Sequence, residues 1–194
     1  MKSIEKIQNL IPIGYLFLVI MGILKESVYF YQLKINILKY STIMDILISP
    51  IADLTSNPIV LLSLLLFAIC ILLILIFVYK YRHNDRVKKT FNIKENELQD
   101  NVLKAKLTQT FLLSISIGIL SFFLGLGIGG GQKMVRKIKD NKLEYKQKLT
   151  FNTGETEAVF LIDSNSSYYF YLTPKNKSIK IAPIGAIKNI ELNN

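Results

Sequence analysis

One uncharged stretch decides which solvent this chain must fold in. Residues 59–79 read IVLLSLLLFAICILLILIFVY, a run of 21 residues without a charged side chain. As an α-helix such a run is about 31 Å long at 1.5 Å per residue, which matches the roughly 30 Å hydrocarbon core of a bilayer. The stretch therefore predicts a transmembrane helix, and the chain is predicted to be an integral membrane protein.

Two further apolar stretches predict two more spans, at about residues 7–24 and 107–130. The first follows the short basic sequence MKSIEK and lacks the small-x-small pattern of a signal-peptide cleavage site, so we interpret it as an uncleaved span. With three spans in 194 residues, the chain has room for one small domain outside the membrane. We therefore expect a helical transmembrane domain in residues 1–131.

Residues 28–57 are too apolar for an ordinary loop, yet two lysines and two aspartates interrupt them too often for a span. Residues 33–37 alternate apolar and polar side chains as a short strand would, and the polar positions of residues 41–49 recur at helical spacing. Pro50 is expected to stop that helix. We predict an amphipathic segment that lies in the membrane interface or dips partly into the membrane.

The two aspartates of this segment, Asp45 and Asp53, are candidate intramembrane carboxylates. A carboxylate at membrane depth is costly and often marks an ion or proton path. Sequence does not fix the depth of either residue, so a hydrated position at the interface is the alternative. We favour the hydrated position.

The C-terminal part of the chain has the pattern of short β-strands. Turn clusters separate short runs rich in Val, Ile, Tyr and Phe. We predict an all-β domain of four or five antiparallel strands in residues 149–194, joined to the third span by a basic stalk of residues 132–148. An SH3-like partial barrel is the economical arrangement because closure removes exposed strand edges. The predicted strands are 145–151, 158–163, 168–172, 178–184 and 187–192.

Small side chains recur on one face of the third span. Their spacing of three or four residues places them on a stripe about 100° wide along the helix. In lipid, small residues allow helix backbones to approach closely, with help from Ser and Thr hydrogen bonds. We expect this face to pack against the first or second span, and the alternative is a contact between subunits. The predicted helix-packing residues are Thr110, Ser114, Gly118, Ser121, Gly125 and Gly129.

The glycine-rich sequence GLGIGGG, residues 125–131, resembles a phosphate-binding loop only superficially. A dinucleotide-binding loop needs a preceding strand and a following helix start. Here the glycines come at the end of a predicted membrane helix. We therefore interpret them as a helix end, a close packing site and a hinge before the stalk.

The positive charge of the chain is concentrated beside the predicted spans. The net charge is +10, and 15 of the 24 Lys and Arg residues fall in residues 80–106 and 133–148. Basic clusters beside a span attract anionic lipid headgroups. We exclude nucleic acid as a partner, since these blocks adjoin membrane ends and lack a recognisable binding fold. The predicted headgroup contacts are Lys80, Arg82, Arg86, Lys88, Lys89, Lys133, Arg136 and Lys137.

The sequence offers no constellation for catalysis. His83 is the single histidine and Cys70 the single cysteine, so a zinc site of the usual kind is excluded. No nucleophile motif is present. We therefore predict no catalytic residue, no metal and no cofactor, and a protein that is not an enzyme.

These features together predict a membrane protein whose small β-domain binds a partner or senses at the membrane surface. The alternative is an oligomeric transport or pore-forming protein that self-associates through the third span. Abundant Ile, Lys and Asn suggest an AT-rich genome and a bacterial plasma membrane. Counted over the short loops, Lys and Arg number ten on each side of the membrane, so the count does not settle the orientation. The charges around the first span favour a cytoplasmic N-terminus and an external C-terminal domain.

Overall fold

The computed structural model describes residues 2–94 and 97–192. This part of the chain contains five α-helices followed by a five-stranded antiparallel sheet. It divides into two compact units: one runs up to Pro50 and resumes at Phe123, and the other is Ile51–Phe122. The helices are α1 (Lys2–Gln32), α2 (Ile43–Ser56), α3 (Pro58–Lys80), α4 (Asp85–Phe91) and α5 (Asp100–Lys139).

Three of these helices are long and apolar enough to cross a membrane, as the sequence predicts. The candidate spans are Ile11–Gln32, Pro58–Lys80 and Asp100–Lys139. Two of them extend beyond the expected bounds. α1 continues past residue 24 to Gln32, and α5 continues through the glycine-rich sequence to Lys139. The predicted helix end and hinge at residues 125–131 are therefore wrong, because the glycines lie within a continuous helix.

The segment between α1 and α3 differs from its predicted structure. No strand forms at residues 33–37; instead Lys34 adopts a left-handed conformation (φ 62°) and a short 3-10 helix covers Ile37–Lys39. The expectation that Pro50 stops a helix is also wrong, since α2 continues through Pro50 to Ser56. Pro50 lacks an N–H, so the carbonyl of Ile46 loses its usual donor within the helix. That carbonyl lies against Gly22 of α1, where the absence of a side chain leaves room for it.

The predicted antiparallel strands are confirmed: of the four or five expected, five form, in the order β4-β3-β2-β1-β5. The edge strands β4 and β5 are joined by only a 3-10 helix, Ile184–Ala186, and no ladder pairs them within the described residues. Four residue steps reach at most about 14 Å, whereas the edges of a flat five-stranded sheet lie about 19 Å apart. The sheet must therefore curl without closing. The strands are β1 (Gln147–Phe151), β2 (Thr156–Ser164), β3 (Tyr168–Thr173), β4 (Asn176–Pro183) and β5 (Ile187–Leu192).

Both faces of β3 are covered, by two different hydrophobic clusters. Leu149, Val159 and Tyr171 form the centre of the cluster inside the curl. On the other face Phe170 packs against Phe30 at the end of α1, in a cluster that also contains side chains of α5. The sheet thus belongs to the same compact unit as the end of α1 and the end of α5. The aromatic run of β3 is explained by packing on both faces.

The unit Ile51–Phe122 has its own buried cluster at one end of α3 and α5. Val78, Val87, Ile93 and Leu103 are buried there, and Leu103 has no exposed surface. Asn84 caps the short helix α4 by accepting a hydrogen bond from the N–H of Arg86 at 2.9 Å. The described residues that connect α3 to α5 therefore include a folded helix and contribute to an apolar core.

Candidate functional site

The turn between β2 and β3 binds the beginning of α2 through Asp45. The N–H and the hydroxyl of Ser166 each donate to the Asp45 carboxylate at 3.0 Å. The N–H and the hydroxyl of Thr42 each donate to the same carboxylate at 2.7 Å, and the Asp45 N–H donates to the Thr42 hydroxyl at 3.2 Å. Two of these hydrogen bonds are reciprocal, because the Thr42 N–H donates to the Asp45 carboxylate and the Asp45 N–H donates to the Thr42 hydroxyl. Together they form a capping box at the N-terminus of α2. Asp45 therefore both starts α2 and holds the sheet to it.

The hydrogen bonds to Asp45 favour its charged form. Burial raises the pKa of this carboxyl group, but hydrogen bonds from Thr42 and Ser166 outweigh burial and hold the pKa below its ordinary value. The carboxylate is only half-buried and accepts four hydrogen bonds. Of the two environments considered for Asp45, this one is closer to the favoured hydrated position than to an ion or proton path through the membrane.

Asn165 and three aromatic rings extend the same contact. The Asn165 side-chain amide donates to the carbonyl of Tyr40 at 3.1 Å, and its oxygen accepts from the N–H of Tyr168 at 2.8 Å. The rings of Tyr40 and Tyr168 meet edge to face, with centroids 5.5 Å apart, and Tyr40 also meets Phe170 at 6.1 Å. We name residues 40–45 together with residues 165–170 the sheet–helix junction. It joins the β-sheet to the beginning of α2.

The predicted small-residue face of α5 has several different environments. Gly118 faces the ring of Phe67 on α3 so closely that a side chain there would displace the ring. Gly125 and Gly129 are exposed, and a Cβ at either position would meet nothing within 4 Å. The structure does not bring these six residues together on one intrachain interface. Of the remaining three, Thr110 and Ser121 are exposed and Ser114 is half-buried.

Other glycines make the close backbone contacts. A Cβ on Gly127 would lie 2.5 Å from the carbonyl oxygen of Lys25, and a Cβ on Gly131 would lie 2.9 Å from the carbonyl oxygen of Tyr29. Gly127 faces Lys25 and Gly131 faces Tyr29, so the residue numbers rise in the same direction along both helices. Helices α1 and α5 are therefore parallel at this contact. The four-residue spacing of Gly127 and Gly131 is the small-xxx-small motif of membrane helix pairs. That motif lies within GLGIGGG, but on a different face from the predicted stripe.

A buried ionic cluster between α1 and α2 is not signalled by any pattern in the sequence. The Lys25 ammonium lies 2.9 Å from the Glu26 carboxylate and donates to the Ser49 hydroxyl at 2.9 Å. The Ser49 hydroxyl donates in turn to Glu26, which is 8% exposed. Lys25 and Glu26 directly follow the predicted first span. Burial of the pair requires the mutual contacts that the structure provides.

The predicted lipid-contact residues fall into two groups with different partners. In the first group, Arg82 pairs with Asp100 at 2.9 Å and Lys88 with Asp85 at 3.7 Å. Lys80, Arg86 and Lys89 of this group are exposed. In the second group, Lys133, Arg136 and Lys137 line a groove of about 440 Å³ along the last turns of α5.

The remaining candidates add no chemical centre. Asp53 is half-buried on α2, and His83 is exposed between α3 and α4. In residues 2–94 and 97–192, no group of three or more His, Cys, Asp or Glu side chains could hold a metal ion. The sheet–helix junction and the groove on α5 are the sites whose geometry suggests a role.

Comparison with known proteins assigns no role to these sites. No protein-family model, no curated protein and no solved structure matches the chain.

Proposed function

We propose that the chain is an integral membrane protein in which α1, α3 and α5 cross the bilayer. The single observation that carries this proposal is the exposure of α3. Its most apolar 18-residue window contains no buried residue and has a mean hydropathy of 3.5. Exposed apolar surface costs roughly 25 cal/mol per Å² in water, whereas lipid removes that cost. Extraction of membranes with alkaline carbonate tests the proposal, which fails if the chain is released.

We further propose that the curled sheet is an SH3-like partial barrel that binds a protein partner or senses at the membrane surface, without catalysis. The support is the division of the sheet into two halves. Strands β2, β3 and β4 supply the side chains that pack on the helices, and the described members of that cluster include none from β1 or β5. The outer face of β1 and β5 is exposed at Lys148, Lys188 and Glu191. A partner bound to this outer face would contact a sheet that is joined to α2 through the sheet–helix junction.

Site-specific photocrosslinking in the intact membrane tests this role. A photoreactive residue at Lys148 or Lys188 samples the outer face of β1 and β5, and the exposed Lys177 near the start of β4 provides a matched control. We expect a discrete crosslinked protein from the first two positions and not from the control. The proposal is wrong if no position on the sheet yields a protein partner while the chain remains in the membrane.

The alternative function is transport or pore formation by an oligomer packed through α5. The observation that favours it is the open space in front of Gly125, which lies on the predicted packing face. A Cβ at Gly125 would meet no atom of the same chain within 4 Å, so a change in oligomeric state of the Gly125→Ala variant in detergent would report a contact between subunits. Ion flux in reconstituted vesicles would then distinguish a pore from an anchor.

We also propose a bacterial plasma membrane, with the N-terminus in the cytoplasm and the sheet outside. The support comes from the composition and from the charges around the first span. A cysteine introduced at Lys188 in a Cys70→Ser background tests the orientation. Labelling by an impermeant maleimide in intact cells supports an external sheet, and labelling only after lysis contradicts it.

A further inference from the structure

The last turns of α5 form a groove with an unusual density of positive charge. Lining residues recur every three or four positions, so they occupy one face of the helix. Lys142 from the turn after α5 completes the wall. The groove has a volume of about 440 Å³, within the range of small-molecule sites. We call it the basic groove; its residues are Gly129, Gln132, Lys133, Arg136, Lys137, Asp140 and Lys142.

The basic groove contains four cations and one carboxylate. The carboxylate, Asp140, pairs with Lys142 at 3.4 Å. In the described part of the chain, no acidic side chain forms a salt bridge with Lys133, Arg136 or Lys137. The Arg136 guanidinium contacts the Gln132 side-chain oxygen at 3.4 Å, which is at the long limit for a hydrogen bond. Lys137 interacts electrostatically with Glu144. The Lys133 ammonium and the Arg136 guanidinium are therefore the donors available to an anion, and Arg is well suited to bidentate phosphate binding.

The depth of the groove in a membrane identifies the source of that anion. The apolar stretch of α5 ends at residue 130, and Lys133 to Lys137 follow within about 5–10 Å along the helix axis at 1.5 Å per residue. The headgroup layer begins where the hydrocarbon core ends and is about 5–8 Å thick. The cations thus meet the level of the lipid phosphates. Gly129 at the apolar end leaves space for glycerol or acyl carbons.

We propose that the basic groove binds the headgroup of an anionic glycerophospholipid, with its phosphate between Lys133 and Arg136. This inference rests on the proposed membrane insertion of α5. It assigns a specific lipid site to one of the two basic blocks. The other block is different, because Arg82 and Lys88 are paired with acidic side chains of the same chain.

The test measures binding of phosphatidylglycerol to the full chain in neutral detergent micelles, by native mass spectrometry and by thermal stabilisation. The variant Lys133→Gln/Arg136→Gln removes two groove cations. A matched control, Arg86→Gln/Lys89→Gln, removes two exposed cations from α4. We expect about a fivefold loss of affinity per groove cation, roughly thirtyfold for the pair, and little loss in the control.

A second variant tests the shape of the groove independently of its charge. Gly129→Leu keeps every cation but fills the apolar end, where an added Cβ would meet nothing within 4 Å. We expect it to weaken phosphatidylglycerol binding while far-UV circular dichroism stays unchanged. Phosphatidylcholine and inorganic phosphate are the comparison ligands, and neither should stabilise the protein to the same extent.

Three results would overturn the inference. The first is an equal loss of affinity in the groove and control variants, which would indicate diffuse attraction by charge. The second is equal stabilisation by inorganic phosphate, which would indicate a site for a soluble anion. The third is no binding of phosphatidylglycerol at all. Failure of membrane insertion itself is recognised separately, since carbonate would then extract the unmodified chain.

Discussion

The close contact between α1 and α5 makes Gly127 the most informative position for a stability experiment. A Cβ there would lie 2.5 Å from the carbonyl oxygen of Lys25, and ordinary contacts begin at 3.4 Å. Gly127→Ala must therefore shift one helix backbone against the other, by 0.9 Å if the contact is to become an ordinary one. A gap of that size forfeits about a quarter to a half of each dispersion contact along the interface.

The expected loss of stability follows from a comparison with Gly129→Ala. Alanine is favoured over glycine in a helix interior by about 1 kcal/mol in water, and this gain is common to both substitutions. A Cβ at Gly129 meets nothing within 4 Å, so that variant has no steric cost. Overpacking typically costs about 1–3 kcal/mol, and this is the expected difference between the two variants.

Unfolding of the purified chain in mild detergent by added dodecyl sulfate, monitored by far-UV circular dichroism, measures that difference. The two variants have the same composition and differ only in which face of α5 carries the methyl group. We expect Gly127→Ala to unfold at lower denaturant than Gly129→Ala. Coincident unfolding curves would refute the backbone contact between α1 and α5, because that contact is the reason for expecting Gly127→Ala to be the less stable variant.

Two other substitutions test the two halves of the fold. Asp45→Asn should weaken the sheet–helix junction by about 1–2 kcal/mol, seen as faster hydrogen exchange at the Ser166 amide, and unchanged exchange would contradict this reading. The pKa of Asp45 is lowered in the folded state. Its contribution to the free energy of unfolding is therefore complete above the unfolded-state pKa of about 3.9, and it is lost as pH falls through the folded-state pKa. Hydrogen exchange at the Ser166 amide, followed as the pH is lowered, checks this sign. Leu103→Ala should destabilise the protein by about 2–5 kcal/mol because this side chain has no exposed surface, whereas Leu113→Ala, at 61% exposure, should have a much smaller effect in the same unfolding assay.

Local patterns were sufficient to predict the apolar helices and the strands. Residues 59–79 have one compatible structure in lipid, and each β-strand alternates or clusters apolar residues between turn signals. Positions where a partner decides the conformation were not predictable in this way. The alternation in residues 33–37 has the period of a strand, but Leu33 and Ile37 instead pack on Phe170, which lies more than 130 residues later in the chain.

The site residues show the same limit. Spacing on α5 identified a face rich in small residues, but the sequence does not say which face meets α1. The contact uses Gly127 and Gly131, and the predicted stripe leaves Gly125 open. Likewise, Asp45 was recognised as a costly carboxylate, whereas its partner Ser166 is 121 residues away and became visible only in the folded chain.

Proline and glycine each destabilise a helix, yet Pro50 of α2 and Gly22 of α1 together allow these two helices to pack closely. Pro50 removes the donor for the Ile46 carbonyl, and Gly22 leaves α1 without a side chain at the same height. The carbonyl lies against Gly22, where a Cβ would collide with both its carbon and its oxygen. Proline frees the carbonyl and glycine makes room for it, so each compensates for the other. Neither residue signals this alone, because the pairing exists only after α1 and α2 have packed.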